Sequence, residues 1–263
     1  MDPEISPETL EVLRKDPLRQ ALTNTALRNF QMAKLFPDNK APVTSLDYDV
    51  AGTRCITTSH DESLRIYDCE RGVREHVSYS KKYGCNLAQF TAQPGCAAYA
   101  STKINDTIRY LSCDTNQYIR YFVGHKDAVT SLQRSPNQAS STLLSAALDG
   151  SVRIWDLDQV DPACTVTPTG TRSVADGGIA AAHDPSGAVV AVAVGSAEIQ
   201  LLDVRELARG PFLSAPIEPP SAKGAAIAGV QFIPPTGDHI VLSWTDGTIA
   251  VHDAFTLDTR ALL

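Results

Sequence analysis

Apolar and polar residues alternate in short runs along most of this chain, and turn residues separate the runs. Val43-Thr44-Ser45-Leu46-Asp47-Tyr48 alternates and is followed by a turn at Ala51-Gly52-Thr53. Arg54 to Ser59, the turn His60-Asp61-Glu62-Ser63 and Leu64-Arg65-Ile66-Tyr67 come next. Alternation with a period of two, in short runs joined by short gaps, predicts an antiparallel meander. The same order recurs in Leu87 to Phe90, Pro94-Gly95, Ala97 to Ser101 and Thr107 to Leu111. It is fullest after Gly124-His125, where Val129 to Leu132, Leu143 to Ala147, Asp149-Gly150 and Val152 to Asp156 follow one another. Ala188 to Val194 is almost continuously apolar, which predicts an inner strand covered on both faces, and Ile199 to Asp203 closes that unit. A fifth unit runs through Gly229 to Ile233, Pro234-Pro235, His239 to Trp244, Asp246-Gly247 and Ile249 to Asp253, with Thr256 to Leu263 as its outer strand.

The ends of the third strands give the spacing. Tyr67-Asp68, Tyr110-Leu111, Trp155-Asp156, Leu202-Asp203 and His252-Asp253 follow one another at steps of 43, 45, 47 and 50 residues. A period of roughly 40–45 residues, with Gly-His early and Trp-Asp at the end, predicts an all-β WD-repeat β-propeller. The units are expected at about 43–80, 86–122, 124–167, 179–214 and 228–263, within a propeller domain spanning 26–263. Residues 1–25 lie outside the repeat and read as a mobile extension. A weak helix starts there at Ser6-Pro7, and Pro17 breaks it. Residues 26–36 alternate in part and read as a strand; in propellers such a strand completes the last blade and hides a sheet edge. Segments 157–177 and 204–226, rich in Pro, Gly, Ser and Ala, read as long loops between blades.

Charge adds a second pattern. The whole chain carries −7, which argues against nucleic-acid binding by bulk electrostatics. Residues 71–134 nevertheless hold nine Lys/Arg against four Asp/Glu, a basic island that would draw an acidic or phosphorylated partner. No apolar run approaches the roughly 20 residues that span a bilayer, and the acidic start Met1-Asp2-Pro3-Glu4 is unlike a secretory signal. Six scattered cysteines without a CxxC pair argue against a zinc site and fit reduced thiols of an intracellular chain. Neither a cofactor nor a metal is expected.

The third unit carries the polar network of a WD repeat in His125, Asp149 and Trp155. In that network the histidine bonds the turn aspartate, and a Ser/Thr hydroxyl links the histidine to the indole N–H. Ala147 stands where the hydroxyl is expected, so one buried donor should lack its partner. Asp61 with Ser59, Asp106 and Asp246 read as equivalent turn residues, which leaves no convergent set of catalytic groups. Leu202-Asp203-Val204-Arg205 is a faint match to the WDxR ending recognised by ubiquitin-ligase adaptors, and makes a cullin-type substrate receptor the alternative reading.

Several segments go beyond the generic repeat: Ser80-Lys81-Lys82-Tyr83-Gly84, Lys103 to Leu111, and Tyr118-Ile119-Arg120-Tyr121-Phe122 before Gly124-His125. With Leu27 to Phe30, Ala33 to Phe36, Leu64 to Cys69 and Gly210-Pro211-Phe212, they resemble the WD-repeat subunit of the COMPASS (Set1-type) histone methyltransferase, which is shared with the machinery of mRNA 3′-end formation and termination. The resemblance implies a non-catalytic nuclear adaptor. It would join the enzyme acting on lysine four of histone H-three to the phosphorylated tail of RNA polymerase II, with 3′-end processing factors or a phosphatase complex as further partners. Lys81, Lys82, Tyr83, Lys103, Arg109 and Arg120 are the residues expected to meet such a partner. The family has seven blades, so the five countable units suggest a truncated or open ring with an exposed face between blades.

Overall fold

The computed structural model describes residues 23, 27–137, 140–168, 178–195, 198–217 and 225–263. The extension expected at 1–25, with its helix at Ser6-Pro7, lies outside the described residues apart from Thr23. Among the described residues, twenty strands form five separate four-stranded antiparallel sheets. The first sheet contains β1 (Val43–Tyr48), β2 (Arg54–Ser59), β3 (Ser63–Asp68) and β4 (Val73–Tyr79). The second contains β5 (Asn86–Phe90), β6 (Cys96–Ala100), β7 (Ile108–Ser112) and β8 (Gln117–Phe122). The third contains β9 (Val129–Arg134), β10 (Thr142–Ala147), β11 (Val152–Asp156) and β12 (Pro162–Val166). The fourth holds β13 (Ile179–His183), β14 (Val189–Val194), β15 (Glu198–Asp203) and β16 (Leu213–Pro216), and the fifth β17 (Ile227–Phe232), β18 (His239–Trp244), β19 (Ile249–Asp253) and β20 (Thr259–Leu262).

Each sheet is a plain meander, because the turns between strands are too short for any crossover. The first strands β1, β5, β9, β13 and β17 lie side by side in that order; among the described residues no comparable packing joins the fifth sheet to the first. The core is accordingly divided into four layers, one at each seam between successive sheets. Ile56, Leu64, Tyr99 and Leu111 fill the first seam, and Ile108, Phe122, Leu143 and Trp155 the second. Leu144, Ile154, Val190 and Leu202 fill the third, and Ile199, Phe232, Ile240 and Trp244 the fourth.

Side chains of the first strands also stitch neighbouring sheets together. Ser45 Oγ accepts the Ala88 N–H at 3.0 Å and Asp47 the Phe90 N–H at 2.9 Å. Two sheets further on, Ser131 and Gln133 accept the Ala181 and His183 N–H groups at 3.0 and 2.7 Å. The sequence Val-Thr-Ser-Leu occurs at both places, at 43–46 and at 129–132. Its burial differs: Leu132 is 5% exposed beneath the second sheet, whereas Leu46 is 55% exposed, because no described sheet packs on that face.

Two expectations are corrected. Residues 27–36 contain no strand: Leu27 and Arg28 form a helical turn, and Phe30, Met32 and Leu35 are exposed. Alternation cannot hold a strand whose backbone has no neighbouring ladder. The stretches read as long loops at 157–177 and 204–226 contain the outer strands β12 and β16, together with a 3-10 turn at Leu207–Arg209. Outer strands face solvent and lack the apolar signature of inner ones, which is why they read as loops.

If the repeat fixes the seams, Leu132→Ala should lower stability by about 2–5 kcal/mol, while Leu46→Ala should stay within about 0.5 kcal/mol. Urea denaturation of the two variants checks this, and equal costs would contradict the assignment of the seams.

Candidate interaction surface

The third sheet shows how a repeat holds itself together. The Trp155 indole N–H donates to Ser145 Oγ at 2.8 Å, and Ser145 Oγ lies 2.7 Å from His125 Nε2. His125 Nδ1 is 3.2 Å from Asp149 Oδ2, and Asp149 also accepts from the N–H groups of Lys126 and Ser151 and from the Ser151 hydroxyl. The hydroxyl missing at Ala147 is thus supplied by Ser145, and the expected gap in the network does not exist. The two positions are two residues apart and share a face of β10, so alternation alone does not distinguish them. Burial lowers the His125 pKa in spite of the Asp149 charge, so the imidazole is neutral and donates through Nδ1. Burial raises Asp149, but hydrogen bonds from Ser151 and Lys126 outweigh it and bring the carboxyl down to about 2. A Cβ at Gly124 would displace the flexible end of Arg153 and lie 3.0 Å from Trp155 Cη2, so a larger residue there would press on this network.

The first sheet reaches the same end with other groups. Asp61 accepts the Lys40 N–H at 3.1 Å, as Asp149 accepts that of Lys126. Asn39 stands where His125 stands in the third sheet, and the Arg65 guanidinium bridges Asn39, Asp61 and Ser63. Burial opposes the Asp61 charge, yet hydrogen bonds from Arg65 and Ser63 hold the carboxyl far below the usual range. Asp246 accepts the Thr248 N–H in the fifth sheet at 3.0 Å. Asp106 is displaced from the pattern: Asp61 and Asp149 lie four residues before Arg65 and Arg153, and the residue four before Arg109 is Asn105. Burial, assisted by repulsion from Asp127, raises the Asp106 carboxyl.

In the second sheet the arginine therefore has no turn carboxylate to pair with. Arg109 is 4% exposed; its Nε donates to Ser101 Oγ at 2.8 Å. Its guanidinium carbon lies 3.6 Å from the Tyr83 ring centroid, 5.1 Å from that of Tyr121 and 5.7 Å from that of Tyr118. Cross-strand pairing of Arg109 with Tyr121 and of Leu111 with Tyr118 brings these rings to it. Buried contacts of this kind contribute about 2 kcal/mol when desolvated. Lys82 Nζ lies 5.1 Å from the Tyr83 ring centroid, and its hydrogen bond and charge lower the Tyr83 pKa, with Arg109 adding to the effect. Lys81 Nζ lies 5.7 Å from the Tyr79 ring centroid.

Of the six residues singled out from the sequence, Lys82, Tyr83 and Arg109 form one cluster, and Lys81 stands beside it over Tyr79. Lys103 is ion-paired with Glu62 of the first sheet. Arg120 lies one residue from Tyr121 on β8 and so faces the third sheet, away from Arg109. Tyr79, Tyr99, Tyr118 and Tyr121 were not foreseen; in the strand pairing Tyr99 and Tyr121 stand opposite Arg109 and Tyr118 opposite Leu111, while Tyr79 stands opposite Ser63 of the first sheet. In the Leu202-Arg205 stretch, Leu202 is buried in the third seam, and the exposed Arg205 is paired with Asp203 at 3.0 Å. Among the described residues no group of three or more His, Cys, Asp or Glu side chains is placed to hold a metal ion.

Among the described residues, five antiparallel four-stranded sheets packed in series through their first strands, with turn-centred polar networks in the first and third, define a WD-repeat β-propeller. The WD domain, G-beta repeat family matches residues 30–68 and 116–156. The chain is similar to WD repeat-containing protein 82 of Drosophila melanogaster, 37% identical over 89% of this chain and 70% of that protein. It is 33% identical to COMPASS component SWD2 of Saccharomyces cerevisiae, over 88% of this chain and 68% of that one. With Set1 complex component swd2 of Schizosaccharomyces pombe it shares 36% identity, over 81% of this chain and 57% of that one. The chain belongs to the WD-repeat family of these proteins.

Two outcomes test the network. Ser145→Ala should cost about 1–3 kcal/mol in urea denaturation, because it strands the indole and imidazole nitrogens together; an unchanged midpoint would show that both are satisfied elsewhere. His125 and His183 both titrate lower in the folded chain than the ordinary 6.5, His183 being brought by burial to about 4. Stability is then complete above pH 6.5 and falls as the pH drops from there towards 4, as the unfolded chain takes up protons first. His183 alone should account for about 3 kcal/mol of that loss. Denaturation midpoints measured across this range should fall, and less steeply for His183→Gln; a flat profile would contradict burial of the neutral rings.

Proposed function

We propose that this chain is a non-catalytic nuclear scaffold of a COMPASS-type histone H-three lysine-four methyltransferase complex. On this reading it links the enzyme to transcribing RNA polymerase II through the phosphorylated polymerase tail, and to 3′-end processing or phosphatase complexes. The observation that carries the reading is the sequence identity, 33–36% over 81–88% of the chain, to two proteins named as components of COMPASS and of the Set1 complex. The geometry is in keeping with it. Titratable groups at the sheet turns are engaged in holding the repeats, as Asp149, His125 and Asp61 are, which suits a platform more than a reaction centre. The surface at the first seam presents tyrosines and lysines, the residue types that hold phosphorylated and aromatic-rich segments.

Affinity purification of the tagged chain followed by mass spectrometry tests this directly. Recovery of a Set1-type methyltransferase subunit is the expected result. Recovery of a cullin adaptor without the methyltransferase would overturn it in favour of the ubiquitin-ligase reading.

A further inference from the structure

We propose that the seam between β4 and β8 is a docking groove for an extended phosphorylated peptide, with Tyr79 and Tyr118 clasping one apolar side chain and Lys81 and Lys82 taking the phosphate. This rests on the proposed link to the phosphorylated polymerase tail and assigns it a place on the molecule.

A cavity of about 140 Å³ opens here between the outer strands of the first two sheets. Leu64 and Leu111 line its base, Tyr79, Tyr99 and Tyr118 form its walls, and Ser78, Ser80 and Asn116 supply polar groups. Tyr79 and Tyr118 are 55% and 42% exposed, a large aromatic surface to leave in water. The walls are held in place before any ligand arrives. Tyr99 Oη donates to Ser80 Oγ at 3.1 Å and lies 2.8 Å from Tyr118 Oη, while Ser78 donates to Asn116 at 2.5 Å. Buried Arg109 braces Tyr118 and Tyr121 from behind. A groove that is already ordered loses little entropy on binding.

Charge identifies the occupant. Lys81 and Lys82 are exposed and follow the lining residue Ser80, Lys81 lying over the Tyr79 wall and Lys82 over Tyr83, and among the described residues neither has a carboxylate partner, unlike Lys103 with Glu62. They lie in the one stretch with a basic surplus on a chain of net charge −7. A larger cavity of about 470 Å³ lies between the β1–β2 and β5–β6 turns, but its charges are already engaged. Arg54 there pairs with Glu75 at 3.0 Å, and Asp49 accepts from Thr53. The tyrosine groove joins an apolar slot to exposed ammonium groups that lie over Tyr79 and Tyr83 and lack a carboxylate partner among the described residues, a pairing that suits a phosphoserine next to a proline or another apolar residue.

The test uses the purified chain and fluorescein-labelled synthetic peptides of two polymerase-tail repeats, with and without phosphoserine, in anisotropy titrations at two salt concentrations. The phosphorylated peptide should bind and the unmodified one should bind at least about tenfold more weakly. Lys81→Glu with Lys82→Glu should weaken binding about tenfold or more and remove most of its salt dependence. Tyr79→Ser should weaken it by a similar factor, about tenfold, with the salt dependence retained. Arg54→Gln, in the larger cavity, should change nothing. Circular dichroism that matches the unsubstituted chain excludes misfolding as the cause. Unaltered binding by the lysine and tyrosine variants would overturn the groove and leave the link to the polymerase tail standing. Absence of binding by the unsubstituted chain, at any phosphorylation tested, would overturn both.

Discussion

A carboxylate at the turn between the second and third strands, holding the backbone N–H of the segment that enters the same sheet, is the contact on which this architecture turns. Asp149 holds Lys126 and Asp61 holds Lys40 in this way. The bond fixes the first strand against the third across the width of the sheet, and the neighbouring seam is then built on first strands already in register. What surrounds the carboxylate varies. His125, Ser145 and Trp155 extend the network inward in the third sheet, whereas in the first sheet the Arg65 guanidinium takes the place of the imidazole. Both solutions leave the anion more fully hydrogen-bonded than burial alone would allow, which is the condition for keeping a charge out of water.

The second sheet breaks the rule, and the surface chemistry follows from the break. Asn105 stands where the carboxylate would be, so Arg109 keeps its charge without an anionic partner on that turn. Tyrosine faces take over: Tyr83 stacks at 3.6 Å, with Tyr118 and Tyr121 beyond it. A buried cation satisfied by ring quadrupoles still projects a positive field outward, where a carboxylate would have cancelled it. The same substitution that weakens the second repeat as a WD unit thus sets tyrosines and a cation at the outer edge of the first seam. A repeat that departs from its consensus at one turn gains a distinct surface there.

Much of this was legible in the chain. The strand order of each sheet, the spacing of Tyr67, Tyr110, Trp155, Leu202 and His252, and the fold that they imply could be read from alternation and period. Three things were not. The choice of Ser145 over Ala147 depends on how far an indole reaches along its neighbouring strand. The gathering of Tyr118 and Tyr121 on Arg109 depends on the register of β7 with β8, which contains an irregularity at Tyr110/Leu111. Residues 30–36 form no strand in spite of their partial alternation, because alternation alone supplies no ladder partner. Arg120, by contrast, could have been excluded from the cluster by alternation alone, since it adjoins Tyr121 on one strand.

On the proposed reading the repeats act as a rigid frame, and recognition takes place at the outer edge of the first seam. Hydrogen–deuterium exchange of the chain with and without a bound phosphorylated partner peptide tests that claim most directly. Slower exchange is expected at 78–83 and 116–121, with amides of β10 and β11 protected equally in both states. Protection that appears instead at 49–54 and 90–95, with the outer strands β4 and β8 unaffected, would contradict it.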